Sequence, residues 1–236
     1  MEKIMHPIII LGSGLAGITL LRELRKLDKD VPVTLVTADD GVFYSKPNLS
    51  NALTLGKSAA QLAQTAATLL ASQLNAAILV HTQALAIRTD EQIVETSAGY
   101  LPYSQLVLAI GAHPVRLPLQ GDAAEEVLSV NSLSDYAVFR EKLAGKKRVA
   151  ILGAGLIGCE FANDLRGAGI ACDVFDLAPQ PLGRLLPAQA ADYFRTRFEE
   201  AGVRFRLQTS IASIVRQDSA YVLTDSHGAT HRADLA

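Results

Sequence analysis

The 236-residue sequence has only two cysteines and no tryptophan, and its charge leans to neither sign, with 22 Lys and Arg against 24 Asp and Glu. Two cysteines are too few for a disulfide framework, a structural zinc site or an all-cysteine iron–sulfur cluster. With no basic excess there is little to hold a phosphate backbone, which argues against general nucleic-acid binding. Charged residues make up 19% and hydrophobic residues 49%, too apolar and too balanced for a disordered chain. His6, His81, His113, His227 and His231 form no metal-ligand spacing, so no separate metal site is expected. What remains is the class of reduced, intracellular, globular proteins, with chain enough for one to two domains.

Long apolar runs are also scarce. Residues 4–21 are uncharged and follow Lys3, but Gly12-Ser13-Gly14 and Gly17 interrupt them. A spanning helix needs about 20 predominantly apolar residues. Residues 58–80 are uncharged too, yet include Gln61, Gln64, Thr65, Thr68, Ser72, Gln73 and Asn75. They read as an alanine-rich surface helix with Leu62, Ala66, Leu69 and Leu70 on one face. The expectation is a soluble, cytoplasmic protein without membrane insertion.

What the sequence does contain is a resemblance to itself. The run Ile8-Ile9-Ile10-Leu11-Gly12-Ser13-Gly14-Leu15-Ala16-Gly17 recurs 141 positions later as Val149-Ala150-Ile151-Leu152-Gly153-Ala154-Gly155-Leu156-Ile157-Gly158. Leu24 and Leu165 then hold matching places. The spacing is too long for a solenoid. In each copy an apolar run meets Gly-x-Gly-x-x-Gly and a helix-like pattern follows. The first glycine permits a sharp strand-to-helix turn, the second leaves room for a pyrophosphate, and the third lets helix and strand pack closely. The helix N-terminus adds free N–H groups and a positive dipole end. Two nucleotide-binding domains in one chain are expected.

An acid at the end of the next strand, about 20 residues on, holds the adenosine ribose in this architecture. Asp176 lies 23 positions after Gly153 and ends Cys172-Asp173-Val174-Phe175-Asp176. In the first copy Val33-Thr34-Leu35-Val36 is the strand and Thr37-Ala38-Asp39-Asp40 follows. Asp39 comes 27 positions after Gly12, behind a longer connection. Asp39 and Asp40 also suit a polar turn with Gly41. An acid at Asp176 repels a 2′-phosphate and favours NADH, while nearby Arg184 keeps NADPH open.

Between the motifs, Tyr44-Ser45-Lys46-Pro47-Asn48 reads as a loop, because Pro47 pushes Lys46 from helical geometry. Strands are expected at Ala77–Val80, Ala84–Ile87 and Ile93–Thr96. Residues 106–114 read as a buried strand ending in a Gly/Pro turn, and Val115–Asp122 as a crossing between domains. A helix is expected over Ser134–Ala144. Lys146-Lys147-Arg148 reads as a solvated turn before a buried strand. Strands follow over Phe205–Val215, Ala220–Thr224 and Thr230–Ala236.

These stretches together resemble the pyridine nucleotide–disulfide oxidoreductase-like flavoproteins, and within them the rubredoxin–NAD reductases. The resemblance is carried by both glycine motifs and Ala38-Asp39-Asp40. It is carried further by Tyr44-Ser45-Lys46-Pro47-Asn48-Leu49-Ser50, Leu106–Ala112, Gly158-Cys159-Glu160-Phe161-Ala162-Asn163-Asp164-Leu165 and Pro181–Pro187. It implies an α/β fold of two Rossmann-like dinucleotide-binding domains with a small antiparallel element. Residues 1–112 would bind FAD and residues 113–236 would bind NAD(H).

The resemblance also implies roles. Gly12, Ser13, Gly14, Leu15, Ala16, Gly17, Ala38 and Asp39 would contact FAD. Ala109, Ile110 and Gly111 would line its pyrophosphate, and the backbone near Ala84 its adenine. Many relatives carry threonine where Ile110 stands, so a hydroxyl contact is lost there. Gly153, Gly155, Leu156, Ile157, Gly158 and Asp176 would contact NAD(H). Lys46 would face the flavin, with Glu160 orienting it. The plainer reading makes Lys46 a solvated loop residue and Glu160 an acid of the helix's first turn. Cys159 and Cys172, 13 apart, lack the spacing of a redox dithiol and suit packing.

Electrons would therefore pass from flavin directly to a partner. The resemblance makes that partner rubredoxin, with flavorubredoxin or ferredoxin as alternatives. A dinucleotide-binding fragment without activity of its own is the competing class. In the family the chain returns to the FAD domain and adds a C-terminal domain, so 236 residues are expected to be the N-terminal portion of a longer enzyme.

Overall fold

The computed structural model describes residues 5–236; Lys3 and Ile4, at the head of the first uncharged stretch, lie outside the described residues. The chain forms two compact units. The first runs to Lys46 and resumes over Ala60–His113. The second comprises Pro47–Ala59 and Pro114–Ala236. A single cut near residue 112 does not describe this excursion of residues 47–59.

In the first unit, β1 (Ile8–Leu11), α1 (Leu15–Leu27) and β2 (Val33–Val36) are followed by α2 (Ala59–Leu62), α3 (Ala67–Gln73) and β3 (Ala77–Leu79). Then come β4 (Ala84–Arg88), β5 (Ile93–Thr96), β6 (Gly99–Pro102) and β7 (Gln105–Leu108). Four parallel strands lie in the order β3-β2-β1-β7, while β4, β5 and β6 form an antiparallel sheet. The β1 run of Ile and Leu has no polar alternation because the parallel sheet is covered on both faces. Ile10 and Leu35 pack with Ile18 and Leu21 of α1 and with Leu70. Ile9, Leu11 and Val36 pack with Val94 and Tyr103.

The helix expected over residues 58–80 is two short helices. They are separated where Phe43 N donates to Thr65 O at 2.8 Å and Gln64 N donates to Phe43 O at 2.9 Å. Tertiary pairing there overrides alanine's helix propensity. Leu62 and Leu70 are buried, but Leu69 is half exposed. Strand β6 was not expected. Residues 106–114 are no buried strand: β7 ends at Leu108, and Leu108 and Ile110 are exposed. β7 is the outermost strand of its sheet, and a short apolar run reads alike at an edge or a centre.

In the second unit, α4 (Leu133–Leu143) starts at a capping box in which Ser132 and Asp135 satisfy each other's backbone N–H. It is followed by β8 (Arg148–Leu152), α5 (Leu156–Gly167), β9 (Ala171–Asp176), α6 (Ala188–Glu200) and β10 (Val203–Leu207). The strands β10-β9-β8 are parallel. An antiparallel sheet of β11 (Ile211–Gln217), β12 (Ala220–Asp225) and β13 (Thr230–Ala233) brings Ile211, Ile214, Tyr221 and Leu223 against Ala150 and Phe175. Beyond β13, Leu235 bridges to Val149 in the parallel sense.

Two further expectations change here. The strand read over residues 205–215 is split between β10 and β11, with Gln208 at φ +53 turning the chain. The basic triplet is no simple solvated turn. Arg148 Nη1 donates to Asp173 at 3.0 Å, and the main-chain N–H groups of Lys147 and Arg148 donate to Asp234 at 2.8 and 2.9 Å. Asp173 is buried, so it needs these partners; Arg204 Nη2 supplies another at 2.8 Å.

Candidate functional site: two glycine turns and their acids

The first motif sits where β1 turns into α1. Gly12 adopts φ +113, and a Cβ there would lie 2.2 Å from Ala109 O, so the turn needs glycine twice over. Ala109 N donates to Leu11 O at 2.8 Å, which places Ala109 beside the turn. Gly14 is the N-cap of α1, in extended geometry, with no side-chain cap, and no acid occupies the first turn. A Cβ on Gly14 would meet nothing within 4 Å. Gly17 is the reverse, since a Cβ there would lie 2.0 Å from Gly12 O. Gly14, Leu15 and Ala16 are exposed.

The second motif repeats this arrangement at α5. Gly153 has φ +120, Gly155 is an uncapped N-cap facing open space, and a Cβ on Gly158 would lie 2.0 Å from Gly153 O. Leu156 and Ile157 are exposed at the start of the helix. The unclaimed N–H groups of a first turn, beside open space, fit a pyrophosphate in both units.

The two acids are held differently. Asp39 Oδ1 accepts from Thr37 Oγ1 at 2.6 Å, Gly41 N at 3.0 Å and Ser13 Oγ at 3.3 Å. Ser13 is itself buried and shares a 2.9 Å hydrogen bond with Thr37. In the second unit Ala154 takes the place of Ser13, and its main-chain N donates to Asp176 Oδ2 at 2.5 Å. Ala178 N donates to Asp176 Oδ1 at 2.7 Å. Each carboxylate is thus tied to its own glycine turn, which fits a group that must accept from ribose hydroxyls. Asp39 lies beyond the last residue of β2, whereas Asp176 ends β9. Thr37 is a contributor the sequence reading missed; a threonine closing a strand gives no signal of its own.

Ala38 is exposed next to Asp39, Ala84 opens β4 and is exposed, and Gly111 has φ +69 just past β7. Lys46 is exposed and opens a 3-10 turn over Lys46–Ser50, where a loop was expected. Pro47 is accommodated because the start of a helical turn has no use for its missing N–H.

Glu160 is not in the first turn of α5, which holds no acid. The helix dipole therefore does not account for it. It accepts instead from Ser50 Oγ at 2.5 Å. One helical turn on, buried Asp164 accepts from Leu53 N and Thr54 N, both at 2.8 Å. Ser50 and Asp164 lie in stretches that carry the resemblance but have no role assigned from sequence, because each partner lies about 110 positions away.

Cys159 and Cys172 are buried, and burial pushes both thiols up to about 12. A thiolate is the reactive form, so neither can serve as a nucleophile near neutral pH. At pH 8 a thiol reagent should titrate no cysteine in the native chain and two in denaturant; rapid native labelling would contradict this packing. Among the described residues, no group of three or more His, Cys, Asp and Glu is placed to hold a metal ion. No helix among them is long and apolar enough to cross a membrane.

Two parallel-sheet units, each with a glycine turn, an uncapped helix and an acid at the end of the following strand or just past it, define a tandem dinucleotide-binding fold. The chain belongs to the pyridine nucleotide-disulphide oxidoreductase family, whose model matches residues 6–236. It is similar to a rubredoxin-NAD(+) reductase of Acinetobacter baylyi, with 47% identity over 98% of this chain and 61% of that protein. It is also similar to a nitric oxide reductase FlRd-NAD(+) reductase of Aeromonas hydrophila, with 37% identity over 98% of this chain and 60% of that protein.

Among solved structures it is similar to the ferredoxin reductase for the CYP199A2 system of Rhodopseudomonas palustris. The TM-score there is 0.88 at 26% identity, covering 97% of this chain and 57% of that one. The covalent putidaredoxin reductase–putidaredoxin complex matches with a TM-score of 0.87 at 28% identity, covering 98% of this chain and 57% of that one. The chain spans about three fifths of the length of these curated relatives.

Proposed function

We propose that this chain supplies the FAD and NADH sites of a reductase that passes electrons from NADH to rubredoxin. The observation that carries the reading is the doubled motif, in which two uncapped helix N-termini each stand beside a carboxylate tied to the same turn. FAD, held by the first turn, would supply the hydride-accepting and electron-releasing chemistry, and the second turn would hold the NADH that provides the hydride.

The chain's own residues bind and orient. The amides following Gly14 hold the pyrophosphate of FAD, Asp39 takes its ribose hydroxyls, and Ala38 and Ala84 flank its adenosine end. Ala109 and Gly111 line the pyrophosphate side through their backbone. The amides following Gly155 hold the pyrophosphate of NADH, with Leu156 and Ile157 at the open start of the helix. Asp176 accepts from the ribose and repels a 2′-phosphate. Lys46 places a cation by the flavin, favouring its electron-rich form, and Glu160 steadies the turn that Lys46 opens by accepting from Ser50.

Rubredoxin is preferred as acceptor because the relative at 47% identity is named for it, against 37% for the FlRd-NAD(+) reductase. The purified protein supplied with FAD should be yellow. It should oxidise NADH faster than NADPH, and faster with rubredoxin than with flavorubredoxin or ferredoxin. A colourless chain that still binds NADH would leave only a nucleotide-binding fragment. A higher rate with another carrier would replace the acceptor.

A further inference from the structure

Residues 47–59 lie along two helices of the second unit and follow Lys46 directly. Glu160, Asp164 and Gly167 fall at i, i+4 and i+7 of α5, so they share one face of that helix. Each meets the segment. Glu160 accepts from Ser50 Oγ at 2.5 Å. Both carboxylate oxygens of Asp164 are used, Oδ2 by Leu53 N and Oδ1 by Thr54 N, and Thr54 Oγ1 donates to Asp164 O at 2.9 Å. At Gly167 a Cβ would lie 2.5 Å from Thr54 Oγ1, so any larger residue there would have to displace the Thr54 side chain. Farther along, Lys57 O accepts from Tyr136 Oη at 3.1 Å and from Arg140 Nη1 at 2.7 Å, both on α4.

Asp164 is the centre of this arrangement. It is 3% exposed, and a carboxylate taken so far from water costs several kcal/mol unless donors compensate it. Here the compensation is two backbone N–H groups of the segment. A carboxylate is acceptor-only, so it matches two donors, whereas an amide would turn one of its own N–H groups against one of theirs.

We infer that Asp164 is a positioning residue. It fixes residues 50–54 to α5, and through the 3-10 turn they close it sets where Lys46 stands. The same helix carries the NADH motif at its N-terminus, so the segment that follows Lys46 is fastened to the element that leads out of the Gly153–Gly158 turn. The inference rests on the function proposed above for Lys46 and for the Gly153–Gly158 turn.

The test uses the FAD-loaded protein with Asp164→Asn, and with Gly167→Ala as a second variant that keeps the carboxylate but crowds Thr54. Three readouts separate positioning from a merely structural role. NADH affinity should change less than twofold, since the glycine turn and Asp176 are untouched. Amide exchange at Leu53 and Thr54 should speed up at least tenfold. The flavin reduction equilibrium should shift about tenfold toward the oxidised form, which is about 30 mV for a two-electron couple. Faster exchange with an unchanged potential would overturn the inference and leave Asp164 as a fastening only; unchanged exchange would overturn it at its base. If the unaltered protein bound no flavin, the proposed function would fail, and with it the assignment of Lys46. If Asp164→Asn fails to fold, Gly167→Ala decides.

Discussion

Replacing Gly155 with Asp should leave the second unit folded and weaken NADH binding about 100-fold, or about 2.8 kcal/mol. Gly155 has φ −75 and ψ −175, which any residue adopts, and a Cβ there meets nothing within 4 Å. Aspartate is a favoured N-cap residue whose side chain accepts from the second or third amide of the helix. Together with the dipole it should add about 0.5 kcal/mol of stability. The same carboxylate would stand where the pyrophosphate belongs and would take the donors the phosphate needs. Thermal unfolding and fluorescence titration with NADH should therefore move in opposite directions. Undiminished affinity would place the cofactor elsewhere.

Gly17→Val should have the converse effect, unfolding the first unit before any question of binding arises. On an ordinary helix a glycine is the poor choice, worse than alanine by about 1 kcal/mol. At Gly17 sterics outweigh that preference. A Cβ would lie 2.0 Å from Gly12 O and 3.3 Å from Ile10 Cγ2, well inside ordinary contact, and the first of these atoms is backbone. Valine adds two methyl groups to the clash. Overpacking of this kind costs roughly 3 kcal/mol, more than the helix gains. The chain lacks tryptophan, so circular dichroism in urea is the appropriate probe. Gly14→Ala, three residues earlier and facing open space, should lose only about 0.5–1 kcal/mol, the cost of alanine at an N-cap, and unfold much nearer the wild-type midpoint. Equal stability for Gly17→Val and Gly14→Ala would contradict the packing of α1 on β1.

Acid should act on the second unit through Asp225. Its carboxyl is held below the usual range by His231, which hydrogen-bonds it at 2.7 Å, and by the main-chain N–H groups of His227 and Ala229. A depressed carboxyl contributes stability above its unfolded pKa, about 3.9, and loses it as pH falls through the lower folded value. The His231 ring also packs edge-on against Phe175, next to Asp176, so this pair supports the strand that carries the acid.

Much of the fold was legible because it follows from local patterns. An unbroken apolar run, a glycine turn and an amphipathic helix specify a parallel strand and what comes after it. That pattern occurs twice, and both copies fold as read. The alanine-rich stretch was misread because its break depends on Phe43 pairing with Thr65, a contact absent from any local window. The strand over residues 205–215 was read as continuous because Gln208, not a glycine, carries the positive φ.

The sequence by itself determined the chemistry of the two turns. Only glycine fits at Gly12, Gly17, Gly153 and Gly158, and an acid follows at the end of the next strand in one copy and just past it in the other. Tertiary structure alone decided how the acids are held, through Ser13 and Thr37 in one unit and the Ala154 amide in the other. It also decided that residues 47–59 belong with α5, through Asp164 and Glu160. The reason is distance along the chain: periodicity reports which face a residue occupies, but not which residue 110 positions away will meet it.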